Sequence, residues 1–374
     1  MSRFAAAFGQ MLRDILRDRY AVASMIGAVV LYSVFYPAAY RNQVASNLPV
    51  AVVDQDHGAL SRDFRRRLDA VRGVRIAGTE PSLAQARRGL EQGRYEGLIV
   101  IPAGFERDLM RGVTAHLVVQ GDGAYLSRGS NVVAGASDAI TAAVNDALRS
   151  RAKSIPPPER PPFALVQRPL FNTREGYGSG VVPGVAELIV HQTIVIGIGV
   201  VLGGRRRALG RRLCYGPAEI AGMLAATLCI GLPALLYYSG FTFWVQDYPR
   251  GGNLYGLLVA SPLFVSATGL LGMTLGSFFS TRERAFQCVT AVSLVLFFLS
   301  NLTWPWSSTP PALRWLAGLL PTTSGINALV AFNQMGASLE EASGPLLNLL
   351  VLILLYGALS LWRFRSPDPA ARTL

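Results

Sequence analysis

Residues 181–212 read VVPGVAELIVHQTIVIGIGVVLGGRRRALGRR, and this stretch decides the fold. Val181–Leu202 is almost wholly apolar and long enough to cross a bilayer, for which a helix needs about 20 such residues. Five arginines follow: Arg205, Arg206, Arg207, Arg211 and Arg212. Guanidinium groups are expelled from hydrocarbon, and under the positive-inside rule such a short basic segment stays on the cytoplasmic side. The segment therefore fixes both a membrane span and its direction.

Working outward, five more apolar runs have spanning length: Ala21–Tyr40, Ile220–Trp244, Leu254–Phe279, Ala285–Trp304 and Pro345–Trp362. The segments between them alternate in charge. Arg13, Arg17 and Arg19 precede the first run, Arg282 and Arg284 follow the fourth, and Arg363 and Arg365 follow the last. By contrast, Val245–Asn253 carries one Asp and one Arg, and Pro305–Gly344 carries Arg314 against Glu340 and Glu341. Six spans place every basic cluster, and both termini, on the cytoplasmic side. The expected fold class is a polytopic α-helical membrane protein of about six transmembrane helices, with an α/β extracytoplasmic domain inserted between helices 1 and 2.

The composition agrees. The chain has 374 residues, is 51% hydrophobic and has a mean hydropathy of +0.34, too apolar for an ordinary soluble protein. Its net charge of +12 does not mark nucleic-acid binding, because the basic residues flank spans or are mixed with acids. Topology and anionic membrane lipid account for them. Cys214, Cys229 and Cys288 all fall in or beside spans, so the insert holds together without disulfides. The first apolar run is longer than a signal-peptide core and is followed only by the faint cleavage pattern Pro37-Ala38-Ala39, which favours an uncleaved signal anchor.

Along the chain, residues 1–19 form a cytoplasmic amphipathic helix. Phe4, Phe8, Met11, Leu12 and Ile15 make one apolar stripe at helical spacing, with Arg13, Asp14, Arg17 and Asp18 opposite, the pattern of a helix lying in the membrane interface. Residues 20–40 are helix 1, and 41–178 are the inserted domain. Within it, strands are expected at Leu48–Val53, Val74–Ala77, Tyr95–Ile101 and Ala115–Gln120. Helices are expected at Ala59–Val71, from the cap Ser82 to Gln92, at Phe105–Arg111 and at Ser130–Arg151. The run Ile155–Pro162, IPPPERPP, is a stiff linker. Residues 179–374 hold helices 2–6. At about 305–344 lies a re-entrant or interfacial segment, with short helices at Leu313–Leu320 and Ile326–Met335 interrupted at Pro321–Gly325.

The chain carries no recognisable catalytic motif. Its one lysine, Lys153, follows no glycine-rich loop, so there is no P-loop to hold a nucleotide. No nucleophile elbow, zinc pair or C-x-x-C is present, and the histidines are scattered, so no catalytic, cofactor-binding or metal residues are assigned. Two features remain. Glu187 and His191 lie four residues apart, on one face of the second span. Ionisable groups in a membrane are costly and usually face a bundle interior or a wet cavity, so the pair is either part of a transport path or a structural pair satisfied by its neighbours. The cluster Arg205, Arg206, Arg207, Arg211 and Arg212 is a topology anchor and a candidate docking surface for a cytoplasmic partner.

Several stretches resemble a known family. LPVAVVDQD at Leu48–Asp56 with Ala59-Leu60-Ser61, YEGLIVIP at Tyr95–Pro102 with Gly104-Phe105, Val182-Pro183-Gly184 at the head of the second span, and LLPTT at Leu319–Thr323 followed by an apolar helix and Gly336 occur in one order over nearly the whole chain. In this it resembles the transmembrane subunit of a bacterial ABC-2 type exporter with a large extracytoplasmic domain. The resemblance implies an inner-membrane permease moving its substrate outward. Its ATP and Mg would be bound by separate cytoplasmic ATP-binding subunits. A second permease copy or paralogue would complete a dimer, and a periplasmic adaptor is a further partner such systems allow. The resemblance also implies that the N-terminal helix and the loop after the second span touch the ATPase. In one place the chain departs from the family pattern: where an acidic E-x-G-T-like stretch often follows the second span, it has the arginine cluster. Two other classes compete with this reading, a non-transport envelope receptor or scaffold and a proton-coupled carrier using Glu187 and His191.

The topology is testable by cysteine labelling in a background without native cysteines. A cysteine at position 130 should react from outside the intact inner membrane, and one within 203–217 only after permeabilisation. Reaction of position 130 only after permeabilisation would overturn the arrangement.

Overall fold

The computed structural model describes residues 2–40, 46–111, 115–121, 126–152, 177–302 and 308–365. The Pro-rich linker, Lys153 and the tail beyond Arg365 lie outside them. The chain divides into two compact units, residues 42–168 and the remainder.

In the smaller unit, β1 (Leu48–Asp54), α3 (Ala59–Ala70), β2 (Val74–Thr79), α4 (Leu83–Glu91), β3 (Gly97–Ile101), α5 (Phe105–Met110), β4 (Val118–Gly121) and α6 (Leu126–Ala152) alternate along the chain. Two helices precede them: α1 (Arg3–Arg17) and α2 (Arg19–Ala39). The sheet order is β2-β1-β3-β4, with β1 parallel to both neighbours and β4 antiparallel at the edge. The sequence explains the order. β1 and β3 are unbroken apolar runs buried along nearly their whole length, as central parallel strands covered on both faces must be. One face packs on Phe64 and Leu68 of α3 and Val132 and Ala136 of α6, the other on Ala86 of α4 and Tyr95. The turn after β1 is an Asx turn, with Asp54 Oδ1 accepting from the amides of Asp56 and His57. Arg67 joins α3 to α6 by binding Asp63 at 2.7 Å and Asp146 at 2.6 Å. The Arg67 and Arg66 guanidiniums hold the Asp63 carboxyl below its ordinary range. The stabilisation this gives is complete above the ordinary carboxylate pKa and is lost as pH falls through the lowered one.

The larger unit is a helical bundle. Four further helices have the length and apolarity to span: α7 (Tyr177–Leu209), α8 (Pro217–Val245), α9 (Leu254–Gly276) and α14 (Ser343–Arg363), which with α2 make five. A bent pair, α12 (Pro311–Gly318) and α13 (Pro321–Met335), meets at 83° and is the sixth candidate. The expected fifth span, Ala285–Trp304, is not one helix in the described residues. It is split into α10 (Arg282–Ala291) and α11 (Ser293–Leu299), with the break at Val292. There Ser293 donates from its hydroxyl to the Val289 carbonyl, a local bond that competes with the helix ladder. The break in the bent pair also differs from the expected one: it lies at Leu319–Leu320, and Pro321–Gly325 belongs to α13. Pro321 occupies the first helical turn, where its missing N–H costs nothing.

Close approaches fix the register of the bundle. Gly272 and Gly276 of α9 lie against Val195 and Gly199 of α7, so these helices run parallel. Arg282 lies beside Gly204, Ala285 beside Gly199 and Leu302 beside Gly184, so α10–α11 climbs antiparallel along α7. Gly336, after α13, lies against Gly252, just before α9. The chain is thus at the same end of the bundle at Leu302 and at Gly336. At the opposite end, the amide of Tyr215 donates to the Phe364 carbonyl and their rings meet edge to face at 5.3 Å.

The apolar stripe of α1 is covered by its own chain. Met11 and Ile15 are fully buried in a core shared with Ile220 and Met223 of α8, with Phe8 and Leu12 packed alongside, whereas Phe4 remains exposed. The two helices approach at Gly222, where a side chain would strike the Phe4 carbonyl and the Phe8 amide. Gly222→Val should therefore lift α1 off α8 at a cost of about 1–3 kcal/mol. A cysteine at Met11, shielded in the wild type, should become reactive in that variant, and continued shielding would refute the contact.

Candidate functional site

Two constellations in the bundle place ionisable groups where charge is costly. The first lies inside it. Glu187 and His191 are each 1% exposed on the most enclosed helix, α7. Both Glu187 oxygens and both His191 ring nitrogens have no hydrogen-bond partner among the described residues. The amide of Gln192 is in the same condition, as are the buried hydroxyls of Thr268 on α9 and Thr322 on α13. These groups share a depth. The register between α7 and α9 brings Phe264 and Thr268 to the heights of Glu187 and His191, and the His191 and Phe264 rings are 6.4 Å apart. Gly325 of α13 abuts Phe264, and Thr322 lies about one turn, ~5 Å, along the same helix. Three helices thus bring a carboxyl, an imidazole and two hydroxyls to adjacent turns of one bundle interior.

Such an arrangement can accept or pass a proton, or hold a polar group that crosses the bundle. An apolar interior would be cheaper, because buried polar atoms without partners are costly. The opposite face of α7 behaves differently: Ile189 and Ile196 are partly exposed. The sequence pattern singles out Glu187 and His191 by their spacing. It gives less notice of Thr268 and Thr322, whose signal is a hydroxyl inside an apolar run.

The second constellation is the arginine cluster, and its members do different things. Arg205 is 11% exposed and donates to Asp14 of α1 at 2.8 Å and to the Tyr215 hydroxyl at 3.0 Å. Arg206 donates to the carbonyls of Ser277 and Phe278, at the end of α9. These two arginines tie helix ends together. Arg207 faces Glu283 across 3.7 Å and stays mostly exposed. Arg211 and Arg212 are exposed, with no ion pair among the described residues. Asp18 pairs with Arg282 at 3.2 Å, and the Arg363 guanidinium lies 4.4 Å from the centre of the Phe278 ring. One end of the bundle is therefore a basic surface held together by Asp14 and Asp18.

The division of labour predicts a contrast. Arg205→Gln should free α1 and lower stability by about 2 kcal/mol, the worth of hydrogen bonds to a charged group. Arg211→Gln with Arg212→Gln should leave thermal unfolding unchanged. Equal loss in both, read by the melting temperature of the purified protein, would contradict it.

Comparison with known proteins agrees with this architecture. The profile of the ABC-2 family transporter protein matches residues 20–362. The inner membrane transport permease YhhJ of Escherichia coli (strain K12) is 23% identical over 366 residues, covering 95% of each chain. The probable multidrug ABC transporter permease YbhR of the same organism is 24% identical over 366 residues, 95% of this chain and 96% of its own. The linearmycin resistance permease protein LnrN of Bacillus subtilis (strain 168) is 23% identical over 318 residues, 79% of this chain and 82% of its own. With a match over nearly its whole length and its apolar helices, the chain is a polytopic membrane protein that belongs to the ABC-2 transporter family.

Proposed function

We propose that this chain is the membrane-spanning permease subunit of an ATP-driven exporter, working with separate cytoplasmic ATP-binding subunits and a second permease copy. The observation that carries the reading is the buried polar constellation of Glu187, His191, Thr268 and Thr322 in a bundle whose basic residues gather at one end. That end is cytoplasmic in this reading, with both termini there and the α/β unit outside. The helix pair α12–α13 enters and leaves from the outer end as a re-entrant hairpin, and α1 lies in the inner interface, packed on α8.

Mechanistically, nucleotide binding and hydrolysis by the partner would be transmitted through the exposed arginines Arg207, Arg211 and Arg212 and through α1. A ligand-driven change needs contacts that differ between two states. The Asp14–Arg205 and Asp18–Arg282 pairs are placed to carry that difference from α1 to α7 and α10. Inside the bundle, the polar groups of α7, α9 and α13 would exchange their partners as the path opens. ATP and its metal belong to the partner subunit. The names of the similar permeases, one a probable multidrug transporter and one a linearmycin resistance protein, fit export of drug-like compounds.

Two variants test this. Glu187→Gln should impair transport in reconstituted complexes far more than it impairs expression or assembly, while apolar exchange at Ile189 or Ile196 is tolerated. Normal transport by correctly assembled Glu187→Gln complexes would end the assignment. Neutralising Arg207, Arg211 and Arg212 together should weaken the hold on the ATPase or uncouple its hydrolysis, once correct insertion has been checked. Unchanged coupling would reduce those arginines to topology anchors.

A further inference from the structure

The hairpin α12–α13 covers only part of the helices it packs on. Gly325 of α13 abuts Phe264 of α9, and α13 extends only four positions, ~6 Å, from there toward the arginine end. Its elbow is pinned by α14: Asn348 donates to the Gly318 carbonyl at 2.9 Å and to the Ser324 hydroxyl at 2.7 Å, and the Tyr356 hydroxyl donates to the Leu319 carbonyl at 2.6 Å. Phe264, Thr268, Leu271 and Leu275 make one stripe on α9, continued by Phe278 just past its end. Exposure rises along it. Phe264 and Thr268 are fully buried and Leu271 nearly so, whereas Leu275 and Phe278 are 37% and 56% exposed. About 15 Å of this face, half of a ~30 Å hydrocarbon core, is left without the hairpin over it.

The second wall is α14. The hydroxyls of Thr274 and Ser360 are 2.9 Å apart and lock α14 onto α9. One turn further along each chain segment, the Arg363 guanidinium lies 4.4 Å from the centre of the Phe278 ring, and Arg206 holds Phe278 in place through its carbonyl. Leu359, one turn before Arg363 on the same face of α14, is exposed as well. The two helices thus form an apolar groove that ends in positive charge. Stacking on a ring covers the flat face of a guanidinium and leaves its in-plane donors free. Arg363 has no hydrogen bond or ion pair among the described residues, and its terminal nitrogens, unlike Nε, are not buried. Arg284 stands beside it: it gives one donor to the Ser280 hydroxyl, two residues beyond Phe278, and is otherwise exposed. The acids described at this end are engaged, Asp14 with Arg205, Asp18 with Arg282, Glu283 with Arg207 and Glu219 with the Gly216 amide. The end of the groove therefore offers donors for a phosphate and no free carboxylate for an ammonium.

We infer that the groove between α9 and α14 beneath the hairpin holds an anionic phospholipid from the leaflet at the arginine end, its phosphate received by Arg363 and Arg284 and one acyl chain lying along Leu275, Phe278 and Leu359. Basic pockets between spanning helices take such headgroups, and a half-leaflet of uncovered helix matches the reach of one chain. The inference rests on the spans and their packing and not on the transport reading, so either can fail without the other.

The test uses the full chain in phosphatidylcholine nanodiscs with a trace of phosphatidylglycerol carrying a photoactivatable group on one acyl chain. Labelling should concentrate on peptides containing 271–278 and 355–363. Unlabelled phosphatidylglycerol should suppress it about tenfold better than phosphatidylethanolamine, the ratio expected from one hydrogen-bonded charge. Arg363→Gln with Arg284→Gln should lose most of the groove labelling. Arg211→Gln with Arg212→Gln removes the same charge from the same end and should leave it unchanged. Labelling of the exposed α14 face around Leu347 and Leu354 and an unchanged melting temperature show that each variant is folded. Equal competition by both lipids, equal loss in both double variants, or full labelling of folded Arg363→Gln with Arg284→Gln would overturn the site. So would absence of groove labelling in the folded wild type, the outcome if a second copy covers this face. Displacement by inorganic phosphate as effective as by the lipid would overturn the lipid assignment.

Discussion

The Arg205 guanidinium sets the frame on which the bundle depends. It sits at the end of α7, 11% exposed, too near hydrocarbon to remain unpaired, and its partners are Asp14 of α1 and Tyr215 at the approach to α8. That one group fixes three segments at a common depth. Its neighbour Arg206 adds the end of α9, and Asp18 with Arg282 adds the start of α10. The last helix is bound into the same layer through Phe364 and Tyr215. These contacts tie α1, α7, α9 and α10 directly to one another at that end of the bundle.

What α7 carries into the interior gives that connection its meaning. Most of its length is apolar and enclosed, yet it places Glu187, His191 and Gln192 where hydrocarbon or protein surrounds them. The parallel packing of α7 on α9 and the return of α13 against Phe264 add Thr268 and Thr322 at the same level. Each group is costly without a partner, and a purely structural bundle would be more stable with leucine in these places. The break between α10 and α11 and the bend between α12 and α13 lie in the segments that close this region, so the interior is lined partly by helices that already deviate from continuous spans.

Much of this was legible in the sequence, because the membrane leaves few choices. Five of the six expected spans lie within a few residues of the helices, since twenty apolar residues bounded by arginine have little other fate. In the smaller unit the strands and helices also follow the pattern: the unbroken run Val50–Val53 became a central strand and Ser82 caps its helix by accepting from the Gln85 amide. Glu187 and His191 stood out by spacing. The misses were tertiary. Proline read as a breaker at Pro321 proved to be a helix starter, since the two uses differ only in position. Ser293, whose hydroxyl bonds back at the Val292 break, looks in sequence like any serine inside an apolar helix. The five arginines looked alike in sequence, and only packing separates Arg205 and Arg206, which bind the chain itself, from Arg211 and Arg212, which have no ion pair among the described residues. The bonds of Asn333 to the Gly251 amide and the Ser239 carbonyl join residues far apart in the chain and have no linear signature.

The central claim is that this chain is the membrane half of a machine whose ATP chemistry resides in another polypeptide. The most direct measurement is isolation of the tagged chain from its native membrane in mild detergent, followed by ATPase assay of the complex and of the chain after its partners are stripped away. The account predicts a co-purifying cytoplasmic subunit with a P-loop, hydrolysis in the complex, and none in the stripped chain. Hydrolysis by the stripped chain, or a fully assembled preparation with no nucleotide-binding subunit, would contradict it.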